Sequence, residues 1–571
     1  MLLVKKSGYM NKLLNKMFSC KLCCLLLALA VPYIFNCLLN PLFFDASGWA
    51  LVSVQLYGWL FSCLFIYLCV AIPYVGISLY VVLCFVFVVL SYARLFYGYV
   101  LSDELIYSMF QTNVNEVSGF INGAFLAYVL GEMAILIAMF YIARRVFRLV
   151  QPVLRWRKVL ILVCVSFGFL LVYSLPSIIF FKIPWGNLPV RENVVRYLSH
   201  KEYRWAPFFH LDDQRPPFEP FMEGYRMPFS QIKSLYRGTK EYFSDLNLQE
   251  VDAFESSCVA DDDLIFVLAL GESTRADHFG MVGYSRNTTP CLERIPGVHV
   301  FFRMYSYGGA TEFSFRSILT GLTQRNENVG RTSFVSILRK HGFWCGYYAE
   351  NVEDMTRTRV GDMIAGKYLH ERKVLSGPIR SVADQVKGRI NEHPGERRFV
   401  FVQNGTGHYP YVCDSEFRIY TPSAVVDGSD DKAYTGLKND YDNCIHAVDV
   451  FLSEIIGSLQ DKNAVVLYSS DHGELLGEGG KWHHGDADNP YLRHVPAFIW
   501  FSDTYKAKHP EVVRSFVEVK DKLLVHGQFF ASILKLCGIQ SSVPLNVGDF
   551  VEDDILKHPH NLPDSVVGSK D

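Results

Sequence analysis

The chain has 571 residues, of which 50% are hydrophobic and 15% aromatic, and its formal net charge is −2. A chain of this length is too long for one ordinary hydrophobic core, so two or more domains are expected. The near-neutral charge gives no indication of a nucleic-acid partner. The apolar residues are concentrated in the first 180 positions. This uneven distribution predicts a membrane region followed by a soluble one.

Five long apolar runs lie in the first part of the chain, at about 22–44, 49–71, 76–97, 123–143 and 159–180. Each is close to the roughly 20 residues that a helix needs to cross a bilayer. The second and third runs are separated only by a tight turn around Pro73 and Gly76, so one long broken segment is an alternative count. A signal peptide is the alternative for the first run. No convincing small-x-small cleavage site follows it, which favours a retained anchor.

The basic residues predict the orientation of these spans. Lysines precede the first run, and six basic residues lie between the fourth and fifth runs: Arg144, Arg145, Arg148, Arg155, Arg157 and Lys158. Positively charged loops remain in the cytoplasm. A transmembrane domain over 1–180 with its amino end inside therefore places everything after residue 181 outside.

Two further segments are not predicted to cross the membrane. The loop 107–122 between the third and fourth runs is polar and is predicted to be external. Residues 181–240 are rich in aromatic residues, Pro and Arg, which is typical of a segment at the membrane surface. Residues 241–571 then form an external domain.

From about residue 262, short apolar strands alternate with helical stretches, which is the pattern of a doubly wound α/β domain. The predicted strands are Leu264–Leu270, Val298–Phe302, Phe343–Tyr348, Phe399–Gln403, Ala464–Ser469 and Ala497–Phe501. The predicted helices include Thr311–Leu319, Phe334–Lys340, Ser381–Arg389 and Leu437–Leu459.

Reactive side chains follow several of these strands. Glu272 comes after the first strand, and Asp471 and His472 come after the fifth. Because ligands bind at the carboxyl ends of strands in open α/β sheets, we expect these side chains to meet there. Together with Thr311 they form an oxygen-rich set with one imidazole, which suits zinc. Each residue also has an ordinary alternative: Glu272 in a first helical turn, Asp-His-Gly as a turn, and Thr311 as an N-cap.

Thr311 is predicted at or near the start of a helix, after two glycines that permit a sharp turn. Helix N-termini bind phosphate through free backbone N–H groups, so a hydroxyl there is well placed to attack phosphorus. Coordination to Zn²⁺ would lower the pKa of that hydroxyl. His408 and His484 could then orient the phosphoryl group or protonate a leaving alkoxide.

Several longer runs carry a family resemblance: GESTRADHFGMVGYSRNTTP (271–290), YGGATEFS (307–314), GTGHYPY (405–411), SSDHGELLGEGG (469–480), HHGD (483–486) and FQTNVNE (110–116). They resemble the phosphoethanolamine transferases of Gram-negative inner membranes, which include lipid A-modifying enzymes associated with polymyxin resistance. That family belongs to the alkaline phosphatase and sulfatase superfamily. The resemblance implies five amino-terminal spans, an inner-membrane location and a catalytic domain in the periplasm.

The resemblance also implies roles for particular residues. By motif, Glu272, Thr311, Asp471 and His472 correspond to the zinc ligands, and Thr311 is the nucleophile that becomes modified. His408 and His484 correspond to contacts of the substrate phosphate, while Thr112 and Glu116 lie near the ethanolamine headgroup. The implied donor is phosphatidylethanolamine, and the implied acceptor is lipid A or another group of lipopolysaccharide.

Some features depart from that family or leave alternatives open. Lipid A-modifying members have cysteines where this chain has Tyr307 and Ser317, and the insert 361–378 matches no pattern. Six cysteines after residue 181 permit disulfides in an exported domain. A sulfatase would need a C/S-x-P-S-R run, which the sequence lacks. A phosphoglycerol transferase of the same superfamily and a non-catalytic membrane protein that binds metal or lipid remain as alternatives.

Overall fold

A computed structural model describes most of residues 255–551, two helices within the first 150 residues and short stretches elsewhere. Inside 255–551 the described part has gaps at 322–331, 353, 393–394, 425–432, 479–481, 485–488 and 543–548. The chain divides into two compact units, 1–101 with 112–234 and 102–111 with 235–571. The finer boundaries, 1–180, 181–240 and 241–571, remain predictions.

The first unit contains two packed apolar helices, α1 (Val75–Tyr97) and α2 (Gly123–Val150). The Tyr80 hydroxyl donates a hydrogen bond to the Leu136 carbonyl at 2.9 Å, and the Tyr80 ring lies 4.8 Å from that of Phe140. These helices match the predicted runs 76–97 and 123–143. Among the described residues, Gly123–Arg145 is the helix long and apolar enough to cross a membrane. The other three predicted runs lie largely outside the described residues, so the count of five spans stays a prediction.

The second unit is built on a seven-stranded sheet. Its strands, numbered in chain order, are β1 (Ile265–Gly271), β2 (Val298–Val300), β3 (Trp344–Glu350), β4 (Glu371–Leu375), β5 (Arg398–Asn404), β6 (Ala464–Ser470) and β7 (Ala497–Phe501). The spatial order is β2-β7-β6-β1-β5-β3-β4. All neighbouring pairs are parallel except the two made by β7. Six strands were predicted, while β4 lies inside the insert that matched no pattern.

The sheet is covered on both faces, and its central strands therefore bury every side chain. In β1, Phe266 and Leu268 belong to one hydrophobic core, and Ile265 and Val267 belong to the core on the other face. Strands buried on both faces are typical of parallel sheets flanked by helices. The doubly wound α/β prediction is therefore confirmed, and the carboxyl ends of β1 and β6 are firmly placed.

Helices and small strands complete this unit. The predicted helices are present as α3 (Thr311–Thr320), α4 (Phe334–Lys340), α5 (Ile379–Asn391) and α6 (Ala433–Gly457). Further helices are Pro290–Glu293, Arg359–Ile364, Pro490–Arg493, Asp503–Lys508, Pro510–Val517 and Phe529–Leu536. Short strands pair as Ser256–Cys258 with Ile539–Ser541, Leu475–Leu476 with Trp482–His483, and Met304–Tyr305 with His494–Val495 and Leu524–Val525.

Candidate active site

Three buried side chains that could bind a metal ion meet at the carboxyl ends of β1 and β6. The two strands are adjacent and parallel, with Gly271 opposite Ser470, so the residues that follow them emerge side by side. Glu272, Asp471 and His472 each place a ligand atom within 4.8 Å of the others. His472 Nε2 lies 3.5 Å from Glu272 Oε1 and 3.5 Å from Asp471 Oδ2. The cluster expected from the sequence is therefore assembled by strand register.

The remaining polar atoms of this cluster show that it fits a cation. Asp471 Oδ1 accepts hydrogen bonds from the backbone N–H groups of Ser273 and His472, at 3.0 and 2.7 Å. Asp471 Oδ2 is buried and has no hydrogen-bond partner among the described residues. His472 Nδ1 donates to the Gly473 carbonyl at 2.7 Å, which leaves Nε2 toward the carboxylates. Because an unpaired buried oxygen is costly, and carboxylate with imidazole suits zinc, these residues fit a metal ion.

The electrostatics of the cluster also favour positive charge. Burial and the charge of Glu272 raise the pKa of Asp471 to about 7. Burial alone would lower the pKa of His472, but the charges of Asp471 and Glu272 outweigh it and raise the pKa to about 10. Two carboxylates this close therefore attract a cation, whether a proton on the imidazole or a metal ion.

Thr311 is the first residue of α3, and its hydroxyl faces the cluster. Thr311 Oγ1 donates to Glu272 Oε1 at 2.9 Å and lies 3.4 Å from His472 Nε2. The N-cap position belongs to Ala310, which makes no side-chain cap. The alternative reading of Thr311 as an N-cap is therefore wrong, and the hydroxyl is available for chemistry.

A row of imidazoles continues outward from His472. The ring of His484 lies 4.5 Å from that of His472 and 5.7 Å from that of His408. The buried Glu474 lies between the two consecutive histidines, with Oε1 3.4 Å from His483 Nδ1 and Oε2 3.3 Å from His484 Nδ1. The structure thus brings His408 and His484 beside Glu272, Asp471 and His472, which we name the candidate metal-ligand cluster. Their roles toward a substrate remain predictions.

The other two predicted substrate contacts, Thr112 and Glu116, lie outside the described residues. Their proposed place near an ethanolamine group therefore remains a prediction.

Two supporting residues were missed by the sequence analysis. Gln403, at the end of β5, donates to Glu272 Oε2 at 3.2 Å. His526 is fully buried, and its Nε2 donates to the Ser470 carbonyl at 3.0 Å while Nδ1 accepts from the Tyr307 N–H at 3.3 Å. Gln403 could have been noticed as a polar residue in an apolar strand. His526 carries no local signal, because its partners are distant in sequence.

Arg275 follows β1 and links the two segments that carry the candidate metal ligands. Its buried guanidinium pairs with Asp277 and Glu478, both at 2.6 Å, and donates to the Glu474 carbonyl at 3.1 Å. The guanidinium also lies 4.3 Å from the centre of the Tyr491 ring. Arg275 therefore ties the segment after β1 to the segment after β6.

The loop before Thr311 is held without a disulfide. All described cysteines are free thiols, including the six that follow residue 181. Ser317 is buried within α3, and the Tyr307 N–H is bound by His526. A hydrogen bond to His526, from a remote segment of the chain, thus holds the loop at Tyr307, one of the two positions where the resemblance implied a cysteine.

Comparison with known proteins identifies the class of this fold. Residues 265–539 match the sulfatase family model, and residues 59–184 match the model of phosphoethanolamine transferase EptA/EptB. The solved integral membrane protein lipooligosaccharide phosphoethanolamine transferase A of Neisseria meningitidis shares the fold. Its TM-score is 0.65 at 18% identity, covering 90% of this chain and 95% of that protein. The chain therefore shares the fold of that integral membrane protein, and its second unit contains a sulfatase-like domain.

Curated relatives place the chain more closely. It is 29% identical to the Kdo(2)-lipid A phosphoethanolamine 7''-transferase of Escherichia coli over 273 residues, which cover 45% of this chain and 48% of that enzyme. It is 25% identical to phosphoethanolamine transferase EptC of Escherichia coli over 553 residues, which cover 85% and 89%. The match thus spans about half of the first relative and most of the second. The chain is therefore similar to phosphoethanolamine transferases of the alkaline phosphatase and sulfatase superfamily.

Proposed function

We propose that this protein transfers phosphoethanolamine from phosphatidylethanolamine to lipid A or another group of lipopolysaccharide, through a covalent intermediate on Thr311. The observation that carries the proposal is the position of Thr311 Oγ1, 2.9 Å from Glu272 Oε1 at the start of a helix. The similarity to phosphoethanolamine transferases supports the phosphoethanolamine group as the one transferred.

The metal that fits best is zinc, held by Glu272, Thr311, Asp471 and His472. A bound zinc ion would lower the pKa of the Thr311 hydroxyl and offset charge on phosphate oxygens. The buried Asp471 Oδ2, which has no hydrogen-bond partner among the described residues, supports this assignment.

The protein's own groups then account for two displacement steps. Thr311 Oγ1 loses its proton and forms a bond to the donor phosphorus while the bond from phosphorus to the glycerol oxygen breaks. The glycerol oxygen takes up a proton and leaves as diacylglycerol. In the second step an acceptor oxygen gives up its proton and bonds to the same phosphorus, the bond from phosphorus to Thr311 Oγ1 breaks, and Oγ1 takes up a proton. His484 uses Nδ1 toward Glu474, so its other ring nitrogen is suited to proton transfer, with His408 beside it.

The proposed location is the inner membrane, with several spans and the catalytic unit in the periplasm. The donor and the proposed acceptor are both lipids, so anchoring the enzyme in the same membrane keeps all three within reach. The apolar helix Gly123–Arg145 and the match of residues 59–184 support the membrane part.

Intact mass spectrometry of the full-length protein in detergent tests the donor and the nucleophile together. After incubation with phosphatidylethanolamine and zinc, we expect a phosphoethanolamine adduct that maps to Thr311 and is lost in Thr311→Ala. Thr320→Ala, at the other end of α3, serves as the control and should keep the adduct.

Other outcomes would redirect the assignment. A phosphoglycerol adduct formed from phosphatidylglycerol would favour the alternative transferase, and zinc binding without any adduct would favour a non-catalytic protein. Adding purified lipid A to the modified enzyme should discharge Thr311. Failure to do so would contradict this acceptor but not the first step. Cells that express the protein should also resist polymyxin better than cells that lack it, because the modification lowers negative surface charge.

A further inference from the structure

A buried carboxylate outside the candidate metal-ligand cluster binds the turn that carries His408. Glu350 is the last residue of β3, lies opposite Asn404 of β5, and is 1% exposed. Its Oε2 accepts hydrogen bonds from Asn404 Nδ2 at 3.0 Å, from the Gly405 N–H at 3.1 Å and from Thr406 Oγ1 at 2.9 Å. Asn351 donates to Oε1. Four donors therefore converge on one side chain.

The turn is pressed directly against the end of β3. The Gly405 N–H also donates to the Glu350 backbone carbonyl at 2.8 Å. A Cβ added at Gly405 would lie 2.6 Å from Val352 Cβ and 2.7 Å from the Glu350 carbonyl oxygen. The His408 N–H then donates to the Gly405 carbonyl at 3.0 Å. The place of His408 is thus set by the contact between this turn and Glu350.

The Glu350 carboxylate is compensated by hydrogen bonds rather than by an ion pair. Among the residues that the structure describes, Glu350 makes no ion pair with a basic side chain, and it is not part of the candidate metal-ligand cluster. Burial raises its pKa to about 7, against the lowering effect of the hydrogen bonds from Thr406, Asn351 and the turn. Burying a carboxylate without a cation is costly unless hydrogen bonds compensate. The turn supplies these hydrogen bonds, and the same hydrogen bonds fix the conformation of the turn.

We propose that Glu350 is a positioning residue, which holds the 404–406 turn so that His408 stands beside His484 at the site of phosphoryl transfer. The proposal rests on the proposed function, since it assigns a support to one of that reaction's residues. Among the described residues, Glu350 makes no hydrogen bond to Thr311 or to the candidate metal-ligand cluster. The turn does contact the cluster, because the Glu272 N–H donates to the Asn404 carbonyl at 2.9 Å. The His408→Ala background therefore separates an effect through His408 from one through Glu272.

A double-mutant cycle on the full-length protein tests this. The rate of adduct formation on Thr311 would be measured for Glu350→Gln, for His408→Ala and for the double variant. Gln keeps the size of the side chain but loses the charge and one acceptor. Because a displacement of about 1 Å can cost on the order of 100-fold in rate, we expect Glu350→Gln to lose roughly 10- to 100-fold. In the His408→Ala background the same substitution should cost less than about 3-fold, since coupled sites are non-additive.

Asp449 provides a matched control. It is also a fully buried carboxylate, and it accepts hydrogen bonds from the backbone N–H groups of Cys291 and Leu292, both at 2.8 Å. It does not contact the turn, so any loss in Asp449→Asn should be the same with and without His408. Thermal midpoints of all variants would show how much of each loss comes from general destabilisation.

The outcomes separate the two levels of the argument. Equal losses from Glu350→Gln in both backgrounds would overturn the inference and leave the proposed function in place. Absence of an adduct in the wild type would overturn both. If Glu350→Gln does not fold, Thr406→Val removes one donor to the same carboxylate while keeping the shape. It should show a smaller loss that again disappears without His408, and a loss that persists would also overturn the inference.

Discussion

Gly473→Ala is expected to impair the site severely, because the position has no room for a side chain. Gly473 follows Asp471 and His472, and its N–H donates to the Leu492 carbonyl at 2.9 Å. A Cβ there would lie 2.0 Å from the Tyr491 carbonyl oxygen, where a normal carbon–oxygen contact is about 3.3 Å. Since the obstacle is backbone, the chain itself must move by about 1.3 Å, the difference between these distances.

That movement would displace His472, a proposed metal ligand, because His472 Nδ1 donates a hydrogen bond to the Gly473 carbonyl. Overpacking of this kind costs about 1–3 kcal/mol of stability. A displacement of about 1 Å at a reacting group costs on the order of 100-fold in rate. We therefore expect Gly473→Ala to lower the thermal midpoint, the zinc content and the rate of Thr311 modification together.

The control is Gly388→Ala in the middle of α5, where an added Cβ meets nothing within 4 Å. Replacing a helical glycine by alanine should stabilise the protein by about 0.5–1 kcal/mol and leave the rate unchanged. The assays are differential scanning fluorimetry, metal analysis and the adduct measurement. A Gly473→Ala variant with the wild-type rate and zinc content would refute this reasoning.

Three further predictions concern charge and metal. Burial lowers the pKa of His526 to about 3 from 6.5, with Arg493 and His472 adding to the effect, so the unfolded chain takes up the proton first. Stability should then fall as the pH drops from 6.5 toward 3, by up to about 1.4 kcal/mol per pH unit, and His526→Gln should flatten this part of the thermal-midpoint profile. Removing metal with a chelator should lower the thermal midpoint and abolish Thr311 modification, and zinc but not calcium should restore both, because calcium prefers sites with more oxygen ligands. Arg275→Lys should weaken zinc binding in a competition titration, because an ammonium cannot hold two carboxylates and a carbonyl in the same planar arrangement.

The sheet was largely predictable because its central strands are buried on both faces and therefore form short apolar runs. Residues 265–271 and 464–470 are buried at every position. The first predicted strand is shifted from the observed one by one residue, and the other is one residue shorter than observed. By contrast, β4 has the sequence ERKVL and alternates between partly buried and exposed positions. An edge strand with so few apolar residues gives no such signal, which is why the insert around it remained unexplained.

The site was predictable where a reactive residue directly follows a strand, as Glu272, Asp471 and His472 do. The local sequence could not decide the role of Thr311, because a threonine at the start of a helix is also suited to be an N-cap. The tertiary structure decides this, since Ala310 occupies the N-cap position and Glu272 accepts a hydrogen bond from the Thr311 hydroxyl. The supports of the site depend on contacts between segments far apart in sequence, so no local pattern could indicate them.

The support that Gln403 gives to Glu272 leads to a last prediction. Gln403 Nε2 donates to Glu272 Oε2 at 3.2 Å, while the Tyr347 hydroxyl donates to Gln403 Oε1 at 2.5 Å, and all three residues are buried. This chain of hydrogen bonds orients the carboxylate that receives the Thr311 hydroxyl. Loss of such an outer partner typically weakens metal binding by about 10- to 100-fold.

Gln403→Leu should therefore weaken zinc binding by about that factor. Gln403→Glu places a second carboxylate against Glu272, so this pair of carboxylates should bind a proton more tightly than Glu272 alone. Zinc titration at pH 6 and pH 8 distinguishes the two variants. The Leu variant should show a similar loss at both pH values, and the Glu variant should lose more at the lower pH. Tyr347→Phe is the control for the outer bond and should have the smaller effect, because Gln403 can still donate to Glu272. Unchanged zinc affinity in Gln403→Leu would mean that the strand ends alone position Glu272, and that the hydrogen bond from Gln403 contributes only to packing.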